Sequence, residues 1–186
     1  MASSSPVEHG RWGFRPRRWV VLLLLLGCVG CDQATKRIAL ALLPEGRRIT
    51  LLGDVVRLEH ARNSGGFLGV GAGLDGGTRG AIFLWGVALV TLVATGAALS
   101  RRLPAGQALA WALVAGGGIG NLIDRVRTGG WVVDFMNVGI GPLRTGIFNV
   151  ADMAIMAGIG LLLASGRWKR DHAPSAEPPA PPTSGP

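Results

Sequence analysis

The chain has 186 residues, enough for one ordinary domain, but 48 % of them are hydrophobic and only 16 % are charged, and its mean hydropathy is positive. Soluble domains carry about 25 % charged residues, so a soluble globule is excluded. The net charge of +8 raises a nucleic-acid partner, yet the arginines gather at the ends of apolar segments rather than along one soluble face, which excludes that too.

Residues 1–15 are polar and Arg-rich and are expected to be a disordered cytoplasmic tail. The first apolar run, Trp19 to Cys31, would rise only about 20 Å as a helix, against a hydrocarbon core of about 30 Å. Its helix must therefore continue through Asp32, Lys36 and Arg37 into Leu43, which predicts a span over 18–43. Cys28 and Cys31 lie in this run with no second ligand pair for a metal and read as small buried hydrophobes. Residues 44–79 follow. Short β-branched runs in ITLLGDVVRLEHARN, split by Gly53, turn glycine-rich at NSGGFLGVGAGLDGG, which predicts a small sheet and then a flexible loop.

Residues 80–100 and 103–123 contain no ionisable group, so both are spans. Within the second, GGGIG (116–120) lacks a preceding strand and nucleotide-loop spacing, and reads as close helix packing. The gap 124–145 holds WVVDFMNVGIGP, an extended run broken by Gly and Pro, which predicts a second irregular element with Asp134 in a loop. A fourth span, 146–166, has one acid, Asp152, near its start. The Pro-rich tail 169–186 is expected to be disordered. The fold class is mainly α and integral to the membrane: four transmembrane helices within residues 16–168, with a small extracytoplasmic β element. Arg11, Arg15, Arg17 and Arg18 precede span one, Arg101 and Arg102 separate spans two and three, and Arg167, Lys169 and Arg170 follow span four, which places both termini in the cytoplasm.

Ionisable side chains at membrane depth are costly and mark functional sites. Asp32 and Lys36 share one helical face, Asn121, Asp124 and Arg125 another, and Asn149 and Asp152 a third, by their i, i+3 and i, i+4 spacing. Asp32 with Lys36, and Asp124 with Arg125, read as paired charges that fix helix packing or a boundary. Asp134 lies between Val133 and Phe135 and Asp152 between Ala151 and Met153, with no base beside either. Acids in such surroundings have raised pKa values, and two of them facing each other share a proton. In an aspartic peptidase one carboxylate takes a proton from water while its protonated partner polarises the scissile carbonyl. No serine stands in a nucleophile-elbow context, His9, His60 and His172 lie outside the spans, and no metal or cofactor is implied.

Five motifs carry a resemblance: DQATK (32–36), NSGGF (63–67), GNLIDR (120–125), VVDF (132–135) and FNVAD (148–152). In this order and on these elements the sequence resembles the lipoprotein signal peptidases, the signal peptidase II family of aspartic peptidases, over about residues 16–168. The resemblance implies a catalytic dyad of Asp134 and Asp152. It implies that Asn63, Asn121, Arg125, Asn149 and Ala151 line the site, that Asp124 supports it, and that Asp32 with Lys36 stabilises its rim. It also implies an enzyme of the bacterial inner membrane, sensitive to globomycin and acting as a monomer, with its site toward the outer face. Its partners would be membrane lipid and prolipoproteins carrying a diacylglyceryl-Cys, cut just before that residue.

Two other readings stand beside this one. Arg15, Arg17 and Arg18 ahead of an apolar run ending Leu25, Leu26, Gly27, Cys28 form a passable lipobox, which would make the chain itself a lipoprotein. Three further spans argue against it. A small transporter or scaffold could use Asp134 and Asp152 for proton transfer, and the V-D-F and F-N-x-A-D motifs argue against that.

Overall fold

A computed structural model describes residues 18–65 and 75–171, with side chains to residue 165. The N-terminal tail, the glycine-rich stretch 66–74 and the chain beyond 171 lie outside the described residues. The described residues form four helices, α1 (Arg18–Leu42), α2 (Gly76–Leu99), α3 (Ala105–Thr128) and α4 (Val150–Asp171). Four strands, β1 (Arg48–Leu51), β2 (Val56–Asn63), β3 (Val132–Ile140) and β4 (Leu143–Arg144), form one antiparallel sheet in chain order. The fold is mainly helical. Helices α1, α2 and α3 are long and apolar enough to cross a bilayer, and α4 carries a shorter apolar stretch, Val150–Ser165.

Helix α3 is the hub, packed on all three other helices while α1 and α2 scarcely meet. Three consecutive glycines make this possible. A Cβ on Gly116 would stand 2.7 Å from Cys28 Cβ on α1, one on Gly117 would overlap the Ala151 carbonyl on α4, and one on Gly118 would overlap Thr91 on α2. Each glycine thus lets a different helix approach the α3 backbone, as expected for a packing motif. Around them the core is small-residue packing, with Ala94, Ala98, Ala108, Ala110, Ala112 and Ala115 all buried.

Helix ends differ from the apolar limits for identifiable reasons. Asp75 caps α2, its carboxylate accepting from Thr78 N at 2.9 Å, so the helix starts four residues before the apolar run. Helix α3 runs past the expected end at residue 123 because Asp124 and Arg125 are accommodated inside the protein, and it stops at Gly129 in the left-handed conformation, φ 76°. Helix α4 starts at Val150 rather than 146, since Phe148 is tied to β3 by Phe148 N to Met136 O, 2.8 Å, and Met136 N to Phe148 O, 2.9 Å.

The two irregular elements expected between the spans are one. β2 pairs with β3, joining residues from both gaps, with an irregularity between Leu58 and Ala61. Asp134 is therefore on a strand and not in a loop. The expectation for the cysteines holds only in part: Cys28 is half-buried against α3, but Cys31 is exposed on the apolar outside of α1.

Candidate active site

The functional side chains gather where the sheet meets one end of the bundle. Asp134, in the half of β3 nearest the helices, is 1 % exposed. Its Oδ1 accepts from Asn149 Nδ2 at 2.6 Å and its Oδ2 from Asn63 Nδ2 at 2.9 Å. Asn63 ends β2 and its own Oδ1 accepts from Gly65 N. Burial, and secondarily the charge of Asp152, push the Asp134 carboxyl up to about 6.

Asp152 sits in the first turn of α4 in a reciprocal cap. Its N–H donates to Asn149 Oδ1 at 3.0 Å, and its Oδ2 accepts from Asn149 N at 3.2 Å. Its Oδ1 accepts from Asn121 Nδ2 at 2.9 Å. Asn149, wholly buried, thus touches both carboxylates, one through its side-chain amide and the other through its backbone. Neither acid has an ion pair among the described residues. Beside Asp152 opens an apolar cavity of about 180 Å³ lined by Ile147, Phe148, Met153 and Met156.

Beneath the two acids lies a different cluster. Lys36 Nζ reaches Asp32 Oδ2 and Asp124 Oδ2, both at 2.8 Å, and donates to Asn121 Oδ1 at 3.1 Å. The same carboxylates also grip backbone next to the upper pair: Asp32 accepts from Ala151 N through its other oxygen, Oδ1, at 3.0 Å, and Asp124 Oδ2 accepts from Val133 N at 3.1 Å as well as from Lys36. Ala151 precedes Asp152 and Val133 precedes Asp134, so one buried ion cluster holds the chain at both. Two expectations are corrected here. Asp32 and Lys36, 0 % and 2 % exposed, form a floor and not a rim, since the ion pair between them at 2.8 Å offsets the cost of burying each charge. Asp124 pairs with Lys36 and not with its neighbour Arg125, since consecutive helical residues point apart.

Arg125 instead donates to Gly65 O at 2.9 Å and Asn121 O at 3.4 Å, tying the end of β2 to α3. Of the residues expected at the site, Asp32, Lys36, Asn63, Asn121, Asp124, Arg125, Asp134, Asn149, Ala151 and Asp152 all lie in this region, while Gly66 and Phe67 of the second motif lie outside the described residues. Gln33 was missed: its Nε2 donates to Asp124 Oδ1 at 2.9 Å and Gly120 O at 3.2 Å, and its Oε1 accepts from Arg127. Its signal was present, an uncharged polar residue at membrane depth beside Asp32.

The family model for signal peptidase (SPase) II matches residues 24–166. The chain belongs to the signal peptidase II family. It is similar to the lipoprotein signal peptidase of Rhodococcus jostii, 35 % identical over 175 residues covering 87 % of this chain and 76 % of that one. The one of Mycobacterium tuberculosis is 35 % identical over 160 residues, covering 80 % and 71 %. A solved structure of a bacterial membrane enzyme aligns with a TM-score of 0.74 at 24 % identity, over 86 % of this chain and 94 % of that one, and supports the fold. As a signal peptidase II the chain is a peptidase that removes signal peptides from lipoproteins, and its apolar helices fit a multi-pass protein of the bacterial inner membrane.

Proposed function

We propose that this signal peptidase II is an aspartic endopeptidase in which Asp134 and Asp152 share one proton and cut lipoprotein precursors just before a diacylglyceryl-modified Cys. The observation that carries this reading is Asn149: one buried residue bonds both acids, and neither acid has an ion pair among the described residues. The ionised carboxylate takes a proton from water as the water oxygen bonds to the scissile carbonyl carbon, while the protonated carboxyl gives its proton to the carbonyl oxygen. In the resulting diol the C–N bond breaks, the nitrogen takes the first proton, and a hydroxyl proton returns to the second carboxyl. The pair ends with one proton, as it began.

The supporting residues have definite tasks in this scheme. Asn63, Asn121 and Asn149 hold carboxylate oxygens with neutral donors, which orient without fixing the charge state. Asp32, Lys36, Asp124 and Ala151 hold the backbone beneath, and Arg125 secures the end of β2. The positive residues flanking the spans support a topology with both termini in the cytoplasm and the dyad toward the outer face. There a lipid-anchored peptide, meeting a single copy of the enzyme, arrives sideways from the bilayer without being extracted from it.

Two acyl chains fix the depth of the substrate Cys far better than a signal helix alone, each buried CH₂ contributing about 0.8 kcal/mol. Lipid binding then serves as positioning energy for the reaction. Purified enzyme in one detergent, given matched lipidated and unlipidated precursors, should cleave the lipidated one orders of magnitude faster. Mass spectrometry should find its product beginning at the modified Cys. Comparable rates on the two precursors would overturn the substrate class.

A further inference from the structure

The sheet has two unlike faces, and one of them is only half covered. Alternate residues of a strand share a face, so the pairings Ile49 with Leu58 with Met136, and Leu51 with Val56 with Val138, put all six on one side. The pair Ile140 with Leu143 extends that side to the sheet's far end. The opposite face carries Thr50, Arg57, Asn137 and Arg144, satisfied among themselves and their turn: Arg57 with Asp54, Arg144 with Asn137. Near the bundle the apolar face is packed. Ile49 and Leu58 share an apolar cavity of about 160 Å³ with Ile38, Leu42 and Phe135 at the end of α1.

Farther out, nothing among the described residues covers it. Leu51 is 45 % exposed, Ile140 77 % and Leu143 83 %, and Leu52, in the turn after β1, is 78 % exposed. Leu52 is also held at φ 53°, a backbone region that residues other than glycine seldom occupy. The turns after β1 and β3 lie at the same end of the sheet, joined by Gly139 N to Val55 O at 2.9 Å, so their apolar side chains form one patch.

Continuity identifies what meets this patch. Ile38 and Leu42, 56 % and 57 % exposed, belong to the lipid-facing side of a spanning helix and border the same cavity as Ile49 and Leu58. The sheet face that packs on the end of α1 is the face that, past the helix, is turned toward the bilayer. An apolar surface running unbroken from a spanning helix onto a sheet, with arginines confined to the other side, has the layout of an interfacial element.

We propose that the outer half of the sheet docks on the bilayer that the helices span: Leu51, Leu52, Ile140 and Leu143 enter its interfacial zone, and the arginine face stays in water. Asp134 and Ile140 lie at opposite ends of β3, so anchoring the tip sets the height at which the strand presents Asp134. This goes beyond the proposed reaction, since it concerns lipid and not substrate.

The test uses the full chain in vesicles of phosphatidylethanolamine and phosphatidylglycerol, with Cys28 and Cys31 replaced by alanine. Nitroxides are attached through Ile140→Cys, Leu143→Cys and, on the opposite face, Thr50→Cys. Labels at 140 and 143 should collide with oxygen several-fold in preference to a water-soluble nickel chelate, and the label at 50 should show the reverse. Equal access of the chelate to all three positions would overturn the proposal. So would shielding at 143 that vanishes when the protein is diluted in lipid, because a second copy would then be the cover. The double variant I140D/L143D should lose several-fold in kcat/KM in vesicles while keeping its melting temperature in detergent. An unchanged rate in vesicles would overturn the link to Asp134. The label readout does not depend on activity, so it distinguishes failure of this proposal from failure of the proposed reaction.

Discussion

Two sets of buried carboxylates share one end of the bundle, and they are built in opposite ways. Asp32 and Asp124 face a lysine, and between them they also accept from backbone N–H groups and Gln33. Asp134 and Asp152 form no ion pair among the described residues and accept instead from the amides of Asn63, Asn121 and Asn149. A cation locks a carboxylate in its charged state, whereas a neutral donor orients it and leaves its proton free to move. On the proposed reaction, the difference teaches that burial alone does not mark a catalytic acid in this protein. Burial without an ion pair does.

The largest effect expected from that contrast is at the upper pair. Asp134→Asn or Asp152→Asn should cut turnover by about 10³-fold or more, the upper range for a lost acid or base. Neither should lower the melting temperature. For Asp134 the sign follows from its raised carboxyl. The folded state keeps a proton up to about pH 6 that the unfolded chain releases near 3.8, so stability is greatest below 3.8 and is lost as pH rises through 6. At pH 7.5 the Asn variant has no charge to bury and should melt at or above the parent in a detergent thermal scan. Appreciable turnover by either variant would erase the distinction between the two clusters.

Next comes the lower cluster, where stability and not chemistry should respond first. Lys36→Met leaves Asp32 and Asp124 buried without their cation, a loss of about 3–5 kcal/mol where one partner of a buried pair is removed. The melting temperature should fall sharply, and adding Asp124→Asn should restore part of it by removing one unpaired charge. The fraction that stays folded should also turn over slowly, because the Ala151 and Val133 amides beside the dyad lose their anchors. A Lys36→Met protein that melts like the parent would mean that the cluster carries no structural load.

Much of this was legible in the sequence, and what was not has physical causes. The apolar runs located α1 to α3, and the i, i+4 spacing of Asp32 and Lys36 foretold a pair that forms at 2.8 Å. The Gly116 to Gly118 run foretold helix packing, though not that each glycine serves a different helix, since that depends on how the other three are arranged around α3. The partnership of Lys36 with Asp124, 88 positions away, could not be read from local spacing, and so Asp124 was assigned to Arg125. The strand carrying Asp134 was hidden for a similar reason. β3 is made by pairing with β2, about 70 residues upstream in register, and Phe148 is drawn onto it from the start of the expected fourth span. The motifs named residues that the fold gathers at one end of the bundle, and only the fold shows which of them hold which.

The smallest and sharpest effect concerns Asn63. In the proposed reaction the dyad works with one proton and the two acids titrate as a pair, so kcat/KM should fall on the alkaline side as that proton leaves. Burial and the Asp152 charge set this loss near 6 at Asp134, and the Asn63 and Asn149 amides oppose them. Asn63 Nδ2, 2.9 Å from Asp134 Oδ2, stabilises the ionised form, so its removal should raise the pKa and move the alkaline limb upward, by about 1 unit for one hydrogen bond to a charged group. Asn63→Ala leaves the Lys36 cluster untouched and should therefore alter the profile more than the melting temperature. Initial rates across pH 5 to 9 with lipidated precursor would measure it. A limb that moves to lower pH would mean that Asn63 supports the protonated form, which would reverse the role of neutral amides on which the contrast between the two clusters depends.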